Sequence, residues 1–487
     1  MKPDNKKLKP VTVFIPKWMP DIKTLLSGTR LKPDRLMLYL HQVYLGRLKL
    51  IRPGEGDAGN SWVYTEGWSP LYSGLIKELV TKNYPDYVKF LEEHPVIERR
   101  RNEGGGLSYT PGSYSQLVRI MDNPFNGPGV RQFRKETISD PVVLKSIYRA
   151  KDKYKKNKTE CVDHLLLTEI HHRLHKMELS VKFRIPQAEK FLDDVYYKTD
   201  NNKTRTKLKD SLVMMEAYNQ HDADYCKVDS FGFRMHTPLT QTWKPLRSYM
   251  YFEGLEEESL MELDIRNSQF FFLATALVNP DIIRDLVPEF EPIIEGLKRY
   301  STMSDVVRFH ELCCEGVLYE QFSYLFTGTK QERRTASKEC LIACMFSKSG
   351  FQKSGNKKTT VAFVQEFKRR FPNIDGAVQE IKVVSGDKLP FMGEHYTDIR
   401  GKQVGDKASH KNLSCLCQRL ESKLVLNIIA ERMLEQDAGP FLTVHDCWIV
   451  CCKKTGDIKR IIDDSFLVSG LVPPMLGEKN YPSVERL

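Results

Sequence analysis

Leu260-Met261-Glu262-Leu263-Asp264 and Phe441-Leu442-Thr443-Val444-His445-Asp446 have one design: a short apolar run that delivers a single aspartate at its end. Runs of this length and composition predict strands. The second run continues past its aspartate into Cys447-Trp448-Ile449-Val450-Cys451-Cys452, so Asp446 is expected in the turn of a hairpin. A carboxylate at a strand end, beside residues that favour burial, is costly unless it is paired or metal-bound. Two such carboxylates can share divalent cations. Hard oxygen donors suit Mg2+, which keeps several waters and takes its remaining ligands from phosphates. Taken singly, each aspartate reads first as a turn or capping residue, and the pair gains meaning only from what lies between.

Between them the apolar stretch 269–278 predicts a helix, as does 332–348, which begins with basic residues. Within the second, spacings of four put Arg334, Lys338, Ile342 and Phe346 on one face. That face offers cations at one end and apolar bulk at the other, which suits the phosphates and base of a nucleotide; it also suits an ordinary amphipathic helix. A further amphipathic helix over 360–370 is stopped by Pro372, and 415–436 predicts one long helix.

The chain has 487 residues, 41% of them apolar by composition, and a formal charge of +11. The length allows two to four structural units, and the basic excess favours polyanionic partners without requiring them. No run of about 18 apolar residues predicts a membrane span. The lysine-rich, proline-broken stretch 1–10 lacks the apolar core of a signal peptide, so a cytoplasmic location is expected, in a host cell if a virus or mobile element encodes the chain. Eleven cysteines, including the adjacent pairs 313–314 and 451–452, form no zinc or redox spacing and read as reduced thiols. Loops are expected at 53–57, 104–106 and 124–128. One or two helices are expected over 73–92, and a strand or turn over 231–237. From 140 to 214 the pattern is helical and charged, with basic clusters at 151–158 and 203–209. It reads equally as a basic arm or a solvated surface.

The order of these features resembles the family A DNA polymerases. The family's first signature is similar to Leu263-Asp264-Ile265-Arg266-Asn267-Ser268-Gln269, and its last to Val444-His445-Asp446. Its fingers helix carries an Arg-x-x-x-Lys with an aromatic eight residues beyond the lysine, matched by Arg334, Lys338 and Phe346. Smaller echoes are 232–240 followed by Pro245-Leu246-Arg247, the segment 367–372, and Gln418 on the helix before Val-His-Asp. The similarity runs over about 230–452.

The resemblance implies an α+β fold: a polymerase right hand with an antiparallel palm sheet, helical fingers and a helical thumb. By it, 1–130 is an N-terminal domain of unknown role and 131–229 a basic thumb-like region. The palm comprises 230–290 and 401–487, and the fingers 291–400. The implied activity is template-directed addition of deoxynucleoside triphosphates to a primer 3′-hydroxyl, on a primer–template nucleic acid and without a membrane. Asp264 and Asp446 would hold two Mg2+ ions, with Mn2+ as a substitute. Arg334 and Lys338 would grip the triphosphate, Lys338 also acting as a proton donor. Phe346 and Ile342 would meet the nucleotide, and His445, Gln418 and Arg247 the primer or template. No exonuclease acid set accompanies these motifs, and the economy of the chain suggests a viral or mobile-element enzyme.

Four positions depart from the family. Gln269 stands where a glutamate excludes the ribose 2′-hydroxyl, Phe346-Ser347 where tyrosine and glycine are usual, Ile342 where an aromatic is usual, and Cys447 where a glutamate follows the last aspartate. Two other readings stay open: a single-subunit RNA polymerase or primase-like enzyme on the same palm, and a nucleic-acid-binding protein with a degenerate palm.

Overall fold

The computed structural model describes residues 8–48, 66–102, 105–106, 116–121, 129–158, 166–223, 225–347, 357–383 and 411–482, with backbone alone for 151–158, 357–360 and 383. The loops expected at 53–57 and 124–128 lie outside the described residues, and the side chains of the basic cluster 151–158 are likewise not described. The chain forms two compact units: Met1–Leu165 with Val181–Tyr225 and Thr237–Glu253, and Leu166–Ser180 with Cys226–His236 and Gly254–Leu487. Both mix helix with antiparallel sheet.

In the first unit, strand Val11–Pro16 pairs with Phe133–Ile138, and Gln116–Ile120 lies between Ser69–Leu71 and Ile97–Arg99. The helix Pro33–Leu48 buries most of its length, including Leu36, Leu38, Leu40 and Val43. The stretch 73–92 resolves into two helices, Ser73–Leu79 and Tyr84–Glu93, the second started by a proline in its first turn. The helical, charged stretch supplies Ile185–Lys198 and Asn202–Asn219. Three of their acids pair with arginines: Asp210 receives Arg47 through two bonds of 2.7 and 2.6 Å, and Glu189 and Glu216 both receive Arg131.

The second unit is built on a four-stranded antiparallel sheet in the spatial order Phe441–Val444, Cys447–Cys451, Leu260–Ile265, Leu476–Tyr481. Every residue of Cys447–Cys451 is buried, as a strand covered on both faces should be. The two-residue turn between the first two strands places His445 at φ 57°, the left-handed backbone that tight hairpins favour. Ser268–Val278 is apolar almost all round and lies wholly inside, with Phe270, Phe271 and Phe272 at most 1% exposed.

The helix Lys330–Phe346 starts with a capping box: Glu332 accepts from the Thr329 N–H at 2.7 Å while the Thr329 hydroxyl accepts from Glu332 N–H at 3.3 Å. It buries Ser337, Leu341 and Met345. Pro372 ends Lys357–Arg370, as expected, and itself opens a new helix, Pro372–Val383. The long helix runs as Asn412–Ser422, a π-helical stretch Lys423–Ala430, and Glu431–Glu435. π-helix is rare, and where it occurs within α-helices it is frequently at functional sites. The described cysteines are all free thiols, and among the described residues no helix is long and apolar enough to cross a membrane.

Candidate active site

Asp264 and Asp446, distant in sequence, occupy neighbouring strand ends. Asp264 stands opposite Cys447 in the ladder, and the Ile265 N–H donates to the Asp446 carbonyl at 3.0 Å. Both aspartates are half-buried. Alternation along the strand puts Glu262 and Asp264 on one face, and Cys447 joins them across the ladder. One ligand atom from each of these three lies within 4.8 Å of the others. Glu262 is buried and its carboxylate accepts from the Tyr481 hydroxyl at 2.6 Å. Asp446 is one step further along, in the turn.

Tyr319 links the acids to the helix Lys330–Phe346. Burial pushes its phenol far above the ordinary tyrosine range; Arg334 opposes the shift, and the charges of Asp446 and Asp264 add to it. The Arg334 guanidinium lies over the Tyr319 ring at 5.0 Å, and its Nε donates to Glu320 at 2.8 Å. Phe270 meets Tyr319 edge-on at 5.8 Å and Phe346 at 6.0 Å. Arg334 and Phe346 therefore reach one aromatic cluster. Lys338 and Ile342 are exposed, Ile342 by 39%.

Behind the acids lies a buried polar network that no sequence pattern suggested. Glu421 is 1% exposed and receives Arg234 through Nε and Nη2, both at 2.8 Å. The Gln269 amide nitrogen donates to the same carboxylate at 2.8 Å. Burial pushes the Glu421 carboxyl up to about 7, with Arg234 and Gln269 pulling the other way and the charge of Asp446 adding to the rise. Burial also works against Asp229, yet hydrogen bonds from His236 and from the Gly232 and Arg234 N–H groups hold its carboxyl below the usual range. The His236 ring stands 5.7 Å from that of His445.

The stretch 231–237 expected as strand or turn is both: a loop held by Asp229, then the two-residue strand Met235–His236 pairing with Lys227–Val228. It docks on the long helix. Arg419 donates to the carbonyls of Phe231 and Ser230 at 2.9 and 2.8 Å and stacks on Phe233 at 3.8 Å, and Ser422 donates to the Gly232 carbonyl at 2.8 Å. Gln418 lies directly against Gly232, where a Cβ would fall 2.8 Å from the Gln418 Cβ. Arg247 is buried in the 3-10 helix Lys244–Tyr249, which belongs to the other compact unit.

Glu421 was missed because a helical glutamate ordinarily reads as surface. The available signal was its place among Cys417, Leu420, Leu424 and Val425, all apolar and buried. Asn267, between Asp264 and Gln269, was missed too. It holds φ 57°, and its buried amide finds no hydrogen-bond partner among the described residues.

Neither a protein-family model nor a curated protein sequence matches the chain. Among solved structures it is similar to the POL domain of Pol1 from M. smegmatis in complex with DNA primer-template and dNTP, with a TM-score of 0.36 and 10% sequence identity. That match covers 60% of this chain and 55% of the other, so the chain spans little more than half of that structure. At this level of likeness the chemistry of the site has to be read from its own residues.

Proposed function

We propose that the chain is a template-directed nucleic-acid polymerase that extends a primer 3′-hydroxyl at Asp264 and Asp446. The observation that carries the reading is the meeting of two aspartates on adjacent strand ends, where Asp264 stands opposite Cys447 and the Ile265 N–H donates to the Asp446 carbonyl. In this reading 230–290 and 401–487 act as palm, 291–400 as fingers and 131–229 as thumb, with 1–130 a domain of unassigned role.

The donor set fits the metal the reading requires. Asp264 and Asp446 offer hard oxygens, whereas the Cys447 sulfur on the same face is a poor partner for Mg2+. Glu262 already accepts from Tyr481. The two aspartates, and not the whole acid–thiol group, would hold the ions. Bound divalent cations supply Lewis acidity at the primer hydroxyl and at the triphosphate, with Mn2+ able to replace Mg2+.

The chain's own groups do the rest by positioning and charge. The 3′-oxygen bonds to the α-phosphorus as the bond to the bridging oxygen of the pyrophosphate breaks, and the hydroxyl proton passes to solvent. Arg334 and Lys338 hold the triphosphate, and Lys338 protonates the leaving pyrophosphate. Phe346, with Ile342 a turn before it, faces the base. His445 and Gln418 meet the primer terminus and template strand, with Arg247 assigned to the same duplex.

A specific observation also favours ribonucleotide use, as in a primase-like enzyme: the gate position is an amide, Gln269, already committed to Glu421. Primer extension with Mg2+, on DNA and RNA templates and with deoxy- and ribonucleotide pools, tests the proposal. Extension of a primed template is expected. No extension in any of the four combinations would remove the reading.

A further inference from the structure

The first compact unit holds a cavity of about 520 Å³, and every residue that lines it belongs to that unit. The volume lies within the range of small-molecule sites. A duplex, whose major groove alone is about 12 Å wide, does not enter it.

Four aromatic side chains line the cavity: Trp18, Tyr44, Phe133 and Tyr196. Its cations differ in what they already hold. Arg47 is held by Asp210, and Arg119 donates to Glu98 at 2.8 Å and lies over the Trp68 ring at 4.5 Å. Arg205 is paired more weakly: its Nη2 reaches Asp200 at 3.5 Å, and that acid is wholly exposed. The Arg205 Nε is shut off from water and has no hydrogen-bond partner among the described residues. Lys209 stands one turn further along the helix Asn202–Asn219, and both cations lie over the Tyr196 ring, at 5.1 and 5.9 Å. Like charges four residues apart on a helix repel, so an anion shared by the two relieves a cost that the fold carries.

Trp18 adds a second unspent donor, because its buried Nε1 also lacks a partner among the described residues. An indole N–H and a guanidinium donate and never accept. The demand at this cavity is therefore for negative charge and acceptors beside flat aromatic surface. The walls are held in advance of any ligand. The Arg47–Asp210 pair joins the helix Pro33–Leu48 to Asn202–Asn219, the Tyr44 hydroxyl donates to the Gln132 carbonyl at 3.3 Å, and the Tyr44 and Phe133 rings meet edge-on at 5.8 Å.

We propose that this cavity is a binding site for a nucleoside phosphate, free or at the end of a single strand, with Arg205 and Lys209 taking the phosphate and the aromatic walls the base. Guanidinium and ammonium groups are the usual partners of phosphate, and bases stack on aromatic side chains. A bare inorganic anion would satisfy the cations and leave the aromatic walls uncovered. Asp264 and Asp446 lie in the second compact unit, and this site calls on no metal, so the inference does not rest on the polymerase reading.

The test is the fluorescence anisotropy of labelled adenosine 5′-monophosphate with the full chain in EDTA, where sites that need a divalent cation stay silent. Saturable binding is expected, displaced by unlabelled adenosine 5′-monophosphate far more readily than by adenosine or by inorganic phosphate. Arg205→Ala should weaken binding by about tenfold or more, the worth of a hydrogen bond to a charged group. Trp18→Phe keeps a ring and removes the N–H, and should weaken it by about three- to tenfold. Circular dichroism checks that both variants fold, and Arg205, partly exposed on its helix, carries the test if Trp18→Phe does not. Arg334→Ala, in the other unit, should bind as the unaltered chain does. A 5′-phosphorylated tetranucleotide that competes as well as the mononucleotide assigns the site to a strand end, and one that does not assigns it to the free nucleotide. Absence of saturable binding, equal displacement by inorganic phosphate, or binding unchanged in both Arg205→Ala and Trp18→Phe overturns the inference. Loss of binding in Arg334→Ala alone overturns it too, and moves the nucleotide to the proposed active site.

Discussion

Asp446 accepts a backbone hydrogen bond from Ile265 at 3.0 Å, which ties the hairpin turn to the residue that follows Asp264. The spacing of the two acids is thus fixed by the sheet ladder rather than by flexible loops. A site on strand ends is held more closely than one on loops, and nucleotidyl transfer depends on such positioning.

The docking of 231–236 on the long helix makes Gly232 indispensable. An added Cβ would lie 2.5 Å from the Gln418 Oε1 and 2.8 Å from its Cβ, and the second atom cannot move without the helix. Gly232→Ala should cost roughly 1–3 kcal/mol, as overpacking does. Thermal unfolding should show a lowered midpoint, and fluorescence anisotropy should show weaker primer–template binding. An unchanged midpoint would mean that the segment does not rest on Gln418 in solution.

Arg334 and Lys338 should fail in different ways. Arg334 is engaged with Tyr319 and Glu320, whereas Lys338 is exposed. Arg334→Ala should raise KM for the nucleotide and lower kcat. Lys338→Ala should act chiefly on kcat, each tenfold loss being about 1.4 kcal/mol of barrier. Steady-state kinetics showing the same KM and kcat changes in both variants would contradict this division.

Glu421 should leave a mark on stability. Burial raises its folded value from 4.5 to about 7, so the folded state binds the proton more tightly than the unfolded chain. Its contribution to stability therefore falls as pH rises from about 4.5 to 7, and the cost is complete above that window, on the order of 3 kcal/mol. His171 gives the opposite slope: burial pushes it down to about 4, so stability is lost as pH falls below its unfolded value. The difference between the unaltered chain and Glu421→Gln isolates the glutamate. Urea unfolding at pH 5 and pH 8 should show that difference moving in favour of the glutamine variant at pH 8. A constant difference would contradict the assigned titration.

The strands and helices that carry the site were legible because their patterns are local. Leu260–Ile265 and Phe441–Val444 are short apolar runs, Ser268–Val278 is apolar almost all round, and Lys330–Phe346 follows the helical spacing read over 332–348. Pro372 was legible as a stop but not as the first residue of the next helix. The network behind the acids was not legible, because its pairs are remote: Arg234 and Glu421 are 187 positions apart, and Gln269 and Glu421 are 152 apart. A side chain's partner at such separation is fixed by the fold, and no local pattern encodes it. The grouping of Leu166–Ser180 and Cys226–His236 with the unit that holds the four-stranded sheet was hidden for the same reason.

The most direct measurement is the rate of primer extension by Asp264→Asn and Asp446→Asn beside the unaltered chain, with Mg2+ and the preferred nucleotide pool. Loss of either carboxylate should lower the rate by about a thousandfold or more, equivalent to roughly 4 kcal/mol of barrier. Circular dichroism should remain that of the folded protein. Extension by either variant at the unaltered rate would contradict the assignment of the site.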